Sequence, residues 1–587
     1  MPTTYSEAWA VDFEYKSDAG ERPVPTCMVA LELVSGAAVR LGAAELGSLD
    51  RAPFNTGDNV LFTCFFAPAE LGCFLALGWP LPANVVDLFA EHRVATNGLE
   101  TPGNSLLATL RWHGLAGITA AEKIGMRALA MRGGPYTDAE MESLLDYCES
   151  DVRALVELWP KMLPTIDLPR ALLRGRYMAA VAKMEHAGIP IDVETLGRLR
   201  THWEAVKLRL IAEVDQGFGF YDGKTFKLDR FGSWLAERRY DWPRTDCGRL
   251  AVDKDTFKDQ AAIHPELEPL RQLRTSVGQM NLFDLGVGAD GRARCMLSPL
   301  AAKTGRNAPS TAGFVFGLSG WLRSVIKPAE GRALAYVDWG QQELGIAGAL
   351  SGDPALMAAY RSGDPYLAFA VQAGLAPADA TKQSHGAVRD LCKAAVLGVN
   401  YGMSAQSLAS RIRRPTAYAQ DLLDRHREAY PVFWKWSEAV VDHAILNRSI
   451  HSTHGWTLHV RGEPNPRSLM NWPMQAAGAE MLRLACILAT EAGISVVAPV
   501  HDALLVEGPT KSIQEVVSAT RDAMARASRL VLDGFDLTTD AETITYPERY
   551  RSEKGGALWG SVTAILDDLD GVPPCTPGTV SVRAGDG

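Results

Sequence analysis

RDLCKAAVLGVNYG, residues 389–402, is the stretch on which the fold turns. Arg389, Lys393, Leu397 and Tyr401 follow at steps of four, and Gly402 closes the run. Four residues advance an α-helix by about 400°, so these side chains form one slowly drifting stripe. It passes from two cations, through an apolar side chain, to a flat ring. Arginine offers a fork of donors and lysine a point charge, a pair suited to a triphosphate. Leu397 and Tyr401, further along, suit a base. The run of about 18 Å roughly matches an extended nucleotide. Gly402 admits a neighbouring chain or base. Taken alone, the stripe would be an amphipathic helix with a cationic edge, so its surroundings must decide.

Two strand patterns flank it. RALAYVDW, 332–339, is an apolar run that ends at Asp338. ISVVAPVHDALLVEGP, 494–509, reads as a hairpin with His501 and Asp502 at its turn. Strand ends fix a side chain while leaving its tip open. Carboxylates from neighbouring strand ends could hold two divalent cations about 3.5–4 Å apart, the arrangement for in-line phosphoryl displacement. An oxygen-only donor set favours Mg²⁺ or Mn²⁺ over zinc. A lone aspartate would be a turn or cap residue.

The 587 residues predict several domains, and 47% apolar content supports substantial cores. No run is long and apolar enough to span a bilayer, and the polar start MPTTYSEAWA is unlike a signal peptide. Nine scattered cysteines without a CxxC pair indicate neither a disulfide framework nor a zinc site, and fit a reducing cytoplasm. The net charge of −10 argues against a simple nucleic-acid coat, yet the first hundred residues are strongly acidic and 401–500 are not. A local cationic groove can therefore still bind a polyanion.

The first ~165 residues read as α/β. EAWAVDFEY is a strand on which Asp12 and Glu14, two apart, share a face. TDAEMESLLDYCESDVRALVELWPKML is a helix, with Asp138 as its expected N-cap and Pro160 near its end. Tyr147 and Asp151 lie four apart on one helix face. PTIDLPRA is a proline-bearing joint, residues 170–300 and 350–450 are mostly helical, and the tail from about 567 is Pro/Gly-rich and expected to be mobile.

In order and spacing, VDWGQQEL (337–344), RDLCKAAVLGVNYG and VVAPVHDALLVE (496–507) resemble the three polymerase motifs of family A DNA polymerases. TGR (304–306) and RSLMNWPMQ (467–475) resemble two further segments of that family. The resemblance implies that Asp338 and Asp502 bind metal, that Arg389 and Lys393 grip the incoming phosphates, and that Lys393 assists the leaving pyrophosphate. It places Leu397 and Tyr401 beside the nascent base pair. Glu343 would exclude ribonucleotides and Gln341 would support the nucleotide pocket. Arg306, Arg467, Asn471, Gln475 and Gly402 would touch template or minor groove, and His501 would lie near the primer end. Three departures stand out: Leu397 where Phe or Tyr is usual, Ala503 where an acid is common, and Tyr366 where a phosphate-contacting His is frequent.

Asp12, Glu14, Tyr147 and Asp151 resemble the DEDDy 3′–5′ exonucleases, the proofreading domain of the same family. In the second exonuclease motif Phe66 replaces Asn and Glu70 replaces Asp as the remaining metal ligand, while Asp87 belongs to the following element. The resemblance thus implies a multidomain α/β and α+β protein, with a ribonuclease H-like exonuclease domain at 1–165 and then a right-hand polymerase. Thumb and connecting helices would fill 166–300, palm 301–349 and 468–550, fingers 350–467, and a C-terminal segment 551–587.

The implied activity is template-directed DNA synthesis with two Mg²⁺ per active site (Mn²⁺ as a substitute) and 3′–5′ proofreading. The expected partners are primer-template DNA and deoxyribonucleoside triphosphates; the enzyme would be monomeric, away from membranes, and cytoplasmic. The compact length, without a 5′-nuclease region, and the departures are similar to phage replication enzymes. Two rivals within enzymes are a single-subunit RNA polymerase and a DNA polymerase with an inactive exonuclease domain. A third, from another class, is a silent nucleic-acid-binding scaffold.

Overall fold

A computed structural model describes residues 5–116, 120–278, 284–311, 313–552 and 555–571. The expected mobile tail lies, from residue 572, outside the described residues. The chain divides into two units. One comprises Met1–Ile189, Arg294–Pro309 and Gly331–Thr543; the other comprises Pro190–Ala293, Ser310–Glu330 and Ile544–Gly587. No described helix is long and apolar enough to cross a membrane. Every described cysteine is free of a disulfide.

The first unit opens with a five-stranded sheet in the order Ala38–Gly42, Val24–Glu32, Glu7–Lys16, Val60–Cys64, Val85–Asp87. The first two pairings are antiparallel and the last two parallel. Alternation along Glu7–Lys16 sorts its two faces. Trp9, Val11 and Phe13 pack with Leu71 and Phe74 of the helix Ala67–Leu77. Ala8 and Ala10 pack with Leu144, Cys148 and Leu155 of the helix Asp138–Met162. Asp12 and Glu14 continue the second face and so meet the latter helix.

That helix is capped by Thr137 rather than by the expected Asp138. The Thr137 hydroxyl accepts from Glu140 N, and the Glu140 carboxylate accepts from Thr137 N at 2.9 Å. The reciprocal pair satisfies two end amides and outcompetes a cap one residue later. The joint PTIDLPRA contains the Asp167 cap of a helix, Leu168–Ala187, with proline in its first turn. On this helix Arg174, buried, makes a bidentate pair with buried Glu91 at 2.6 and 2.7 Å.

A four-stranded sheet follows in the order Ser495–Val500, Ala503–Pro509, Arg332–Trp339, Thr539–Thr545. Its first three strands pair antiparallel and are largely buried. The helices Pro466–Glu491 and Ile513–Val531 pack together, the second against the two central strands. The intervening residues form helices, among them Pro365–Gln372, Gly386–Asn400, Ala405–Ile412 and Thr416–Ala429. In Gly386–Asn400, Cys392, Ala395, Val396 and Val399 are buried. Their spacing makes one apolar stripe, beside which Lys393 is exposed and Arg389 and Leu397 are half-buried.

The second unit is chiefly helical. Val193–Asp215 is capped by Asp192, and its Arg198 forms ion pairs with Asp567 of the helix Gly556–Leu569 and with Asp570, which caps that helix's C-terminus. Phe220, Phe231, Trp242 and Phe257 form a separate aromatic core.

Candidate active site

Asp338 stands one residue from the end of its strand, directly opposite Ala503. Asp502 occupies, with His501, the tight turn between Ser495–Val500 and Ala503–Pro509. His501 takes the left-handed φ of +56° that this turn requires. Trp339 N donates to Asp502 O at 3.3 Å, so the two aspartates sit at adjoining strand ends. Burial, then the charges of Asp502, Asp540 and Glu542, pushes the Asp338 carboxyl up to about 6. Burial likewise raises Asp502; His501 and Arg306 oppose this, and Glu343 adds to it. Crowded carboxylates whose affinity for protons stays raised are not fully offset by those cations, and an oxygen-only set suits a hard divalent cation.

Glu343 joins this acidic edge to the cationic helix. Its Oε1 accepts from the Tyr401 hydroxyl at 2.8 Å and also from Gln475 Nε2. Burial, then that bond to Glu343, pushes the Tyr401 hydroxyl up to about 12. Gln341, at φ +46°, forms the N-cap of the helix Gln342–Ser351 that carries Glu343. Arg389 and Lys393 lie 5.3 and 5.6 Å from the centroid of the Tyr366 ring. Arg389 is also paired to Asp364. Tyr366 thus serves as an aromatic floor beneath both cations.

Arg467, Asn471 and Gln475 descend one side of Pro466–Glu491, from exposed to 9% exposed. With Tyr401, Thr304 and Leu458 they line a cavity of about 700 Å³. Asn471 Oδ1 is buried there without a partner among the described residues. Gly402, at φ +61°, lies against Arg467, whose Cγ would be 2.9 Å from an added Cβ. The N-terminal region reaches the same cavity through Gly98, and Asn97 Nδ2 donates to Lys303 O and Thr457 O. No motif marked Asn97 or Gly98. Asp540 and Glu542 were also missed, although their alternation in TDAETIT was a usable signal.

At the N-terminal sheet, Asp12, Glu14 and Asp151 each offer an oxygen, and these lie within 4.8 Å of one another. Among the described residues no other group of three or more His, Cys, Asp or Glu gathers in this way. Asp12 is pushed well above its usual range by burial, then by Glu14 and Asp151. Glu14 is pushed up to about 8 by burial, then by Cys27 and Asp151. Tyr147 is buried, and its hydroxyl is raised by burial, then by the charges of Asp151, Glu14 and Asp12. These three carboxylates fit a divalent cation.

Glu70, expected as a further ligand, stands outside this group. It is 4% exposed, and its Oε2 accepts from Phe13 N at 2.8 Å. The parallel pairing with Val60–Cys64 reaches only Ala10, so the amide of Phe13 needs another acceptor on that edge. Phe66 occupies the left-handed region at φ +75°, where Asn is far better tolerated than Phe. Asp87 ends the strand Val85–Asp87 and caps Leu88–Thr96, and its carboxylate also accepts from Phe66 N and Ala67 N.

Lys123 was not anticipated. It lies on the helix Ala120–Arg132, and its Nζ is 2.9 Å from Asp151 Oδ2.

The family model for DNA polymerase family A matches residues 317–542. DNA polymerase I of Aquifex aeolicus is 24% identical over 443 residues, 67% of this chain and 73% of that protein. The thermostable DNA polymerase I of Thermus thermophilus is 25% identical over 380 residues, 60% of this chain and 45% of that protein. DNA polymerase I of Mycobacterium bovis is 26% identical over 437 residues, 66% and 47%. The chain thus spans about half the length of the last two. Among solved structures, the POL domain of Pol1 from M. smegmatis, in complex with DNA primer-template and dNTP, is similar in fold. Its TM-score is 0.69 at 20% identity, covering 94% of this chain and 96% of that one.

Proposed function

Because residues 317–542 belong to DNA polymerase family A, we propose that the chain is a template-directed DNA polymerase using two divalent cations, with slow 3′–5′ proofreading. The observation that carries the reading is the meeting of Asp338 and Asp502 at adjoining strand ends, tied through Glu343 to the helix of Arg389 and Lys393.

Asp338 and Asp502 hold the cations, most simply Mg²⁺. When bound, these lower the charge on the reacting phosphate and favour the attacking primer 3′-OH. Arg389 and Lys393 bind the triphosphate, and Tyr366 beneath them restricts how they spread. Lys393, the more exposed of the two, can hand a proton to the departing pyrophosphate. Tyr401 and Leu397 bound the base. Glu343, fixed by Tyr401 and Gln475, crowds the sugar's 2′ position. Arg306, Arg467, Asn471 and Gln475 line the template side, and His501 lies near the primer end.

In the N-terminal domain, Asp12, Glu14 and Asp151 hold cations and Tyr147 orients the attacking water. The assignment of the domain at 1–165, with thumb, palm and fingers after it, follows the same reading. We infer a phage-type replicative role from the departures at Leu397, Ala503 and Tyr366.

One assay reads both sites. Purified protein is given a labelled primer-template and Mg²⁺, with and without deoxyribonucleotides. Extension with nucleotides and trimming without them support the reading. Preferential incorporation of ribonucleotides would overturn the first half; a mismatched end left intact would overturn the second.

A further inference from the structure

We propose that Lys123 is a built-in competitor for the cation site of Asp12, Glu14 and Asp151: it holds Asp151 in the absence of the cation and must leave when one binds. The proposal rests on the proofreading reading of that site. Three elements meet there. The strand Glu7–Lys16 supplies Asp12 and Glu14, and the helix Asp138–Met162 supplies Tyr147 and Asp151. The helix Ala120–Arg132 brings Lys123 to the group, and one turn later Arg127, whose charge acts on Glu14.

Lys123 Nζ lies 2.9 Å from Asp151 Oδ2 and 6.0 Å from the centroid of the Tyr147 ring. The ammonium therefore contacts Asp151 directly and lies at the outer limit of a cation–π interaction with Tyr147. An ammonium in hydrogen-bond contact with a carboxylate oxygen occupies the coordination space a divalent cation would take from it. It also repels that cation at short range, where the effective dielectric is well below that of water. Yet the Lys123 side chain is 34% exposed, against 11% for Asp151. Its flexible stem has water to retreat into, so the contact can open without disturbing the core. A locked, fully buried pair would give an inert domain. This one gives a site that closes when cation is scarce and opens as cation rises.

The test has two arms. In the first, Mn²⁺ is titrated calorimetrically into the full chain carrying Asp338→Asn and Asp502→Asn, which removes the other acidic pair. Against this background, Lys123→Met is expected to tighten binding at least about tenfold, by removing a charge next to the ion. Asp12→Asn should abolish the same heat. Binding unchanged or weakened in Lys123→Met overturns the proposal and leaves the proofreading reading standing. No heat sensitive to Asp12→Asn overturns both.

The second arm needs no substitution. Acylation of Lys123 by acetic anhydride is followed by peptide mass spectrometry, with and without Mn²⁺. Release from Asp151 should speed modification several-fold when the cation is present. An unchanged rate, in protein that binds Mn²⁺ at this site, overturns the proposal even should the variants fail to fold.

Discussion

Glu343→Ala probes the junction of the two halves of the active site. One carboxylate oxygen, Oε1, receives both the Tyr401 hydroxyl at 2.8 Å and Gln475 Nε2. A hydrogen bond to a charged acceptor contributes roughly 1.5–3 kcal/mol when dry. Tyr401 is 50% exposed, so about 1 kcal/mol is a fairer figure for its bond. The Gln475 side, 9% exposed, should be worth about 2 kcal/mol. Together the two bonds hold the carboxylate in one place with about 3 kcal/mol, enough for a steric barrier against a 2′-hydroxyl. Truncation to alanine removes both the obstacle and its anchors. A pocket contact of that size discriminates by roughly 10–200-fold. The ratio of kcat/KM for deoxyribo- over ribonucleotides should fall by that factor, chiefly because ribonucleotides improve. Tyr401→Phe removes one anchor and leaves Gln475, so the ratio should fall about fivefold, corresponding to ~1 kcal/mol. Single-nucleotide incorporation on a defined primer-template measures both. A ratio within twofold of wild type in Glu343→Ala would refute the reasoning, and so would a larger effect from Tyr401→Phe than from Glu343→Ala.

Two further outcomes follow from the N-terminal domain. Asp87→Ala leaves the amides of Phe66, Ala67 and Phe89 without their acceptor; at ~1–3 kcal/mol for each orphaned buried group, partly relieved by rearrangement, a loss of about 3 kcal/mol in urea unfolding is expected. Glu14 is raised to about 8, so the folded state favours its protonated form; that contribution is complete below about 4.5 and is lost as pH climbs through 8. Calorimetric scans in EDTA should accordingly show an unfolding midpoint that declines between about pH 5 and 8, with a flatter decline in Glu14→Gln.

Local pattern made much of this legible. RALAYVDW is the observed strand residue for residue, because an apolar run bounded by charged and glycine-bearing segments has one reading. The hairpin turn at His501 and Asp502 follows from two apolar runs separated by a polar pair. The alignment of Arg389, Lys393 and Leu397 was legible because helical period alone decides which residues share a face, whereas the helix ends at Asn400 and Tyr401 is its C-cap. Thr137 was overlooked as a cap although TDAE carries the Thr-x-x-Glu signature.

What stayed hidden depends on contacts distant in sequence. Lys123 meets Asp151 across 28 residues and lies in no motif. Asn97 reaches Thr457 across 360 residues. Glu70 accepts from the Phe13 amide across 57 residues, a contact that the second exonuclease motif does not foretell.

The most direct measurement is single-turnover primer extension with Mg²⁺ by Asp338→Ala and Asp502→Ala, alongside primer-template binding by each. The account predicts that binding persists while the extension rate falls at least about a thousandfold in both variants, roughly 4 kcal/mol of lost transition-state stabilisation. Extension at near wild-type rate by either variant would contradict it.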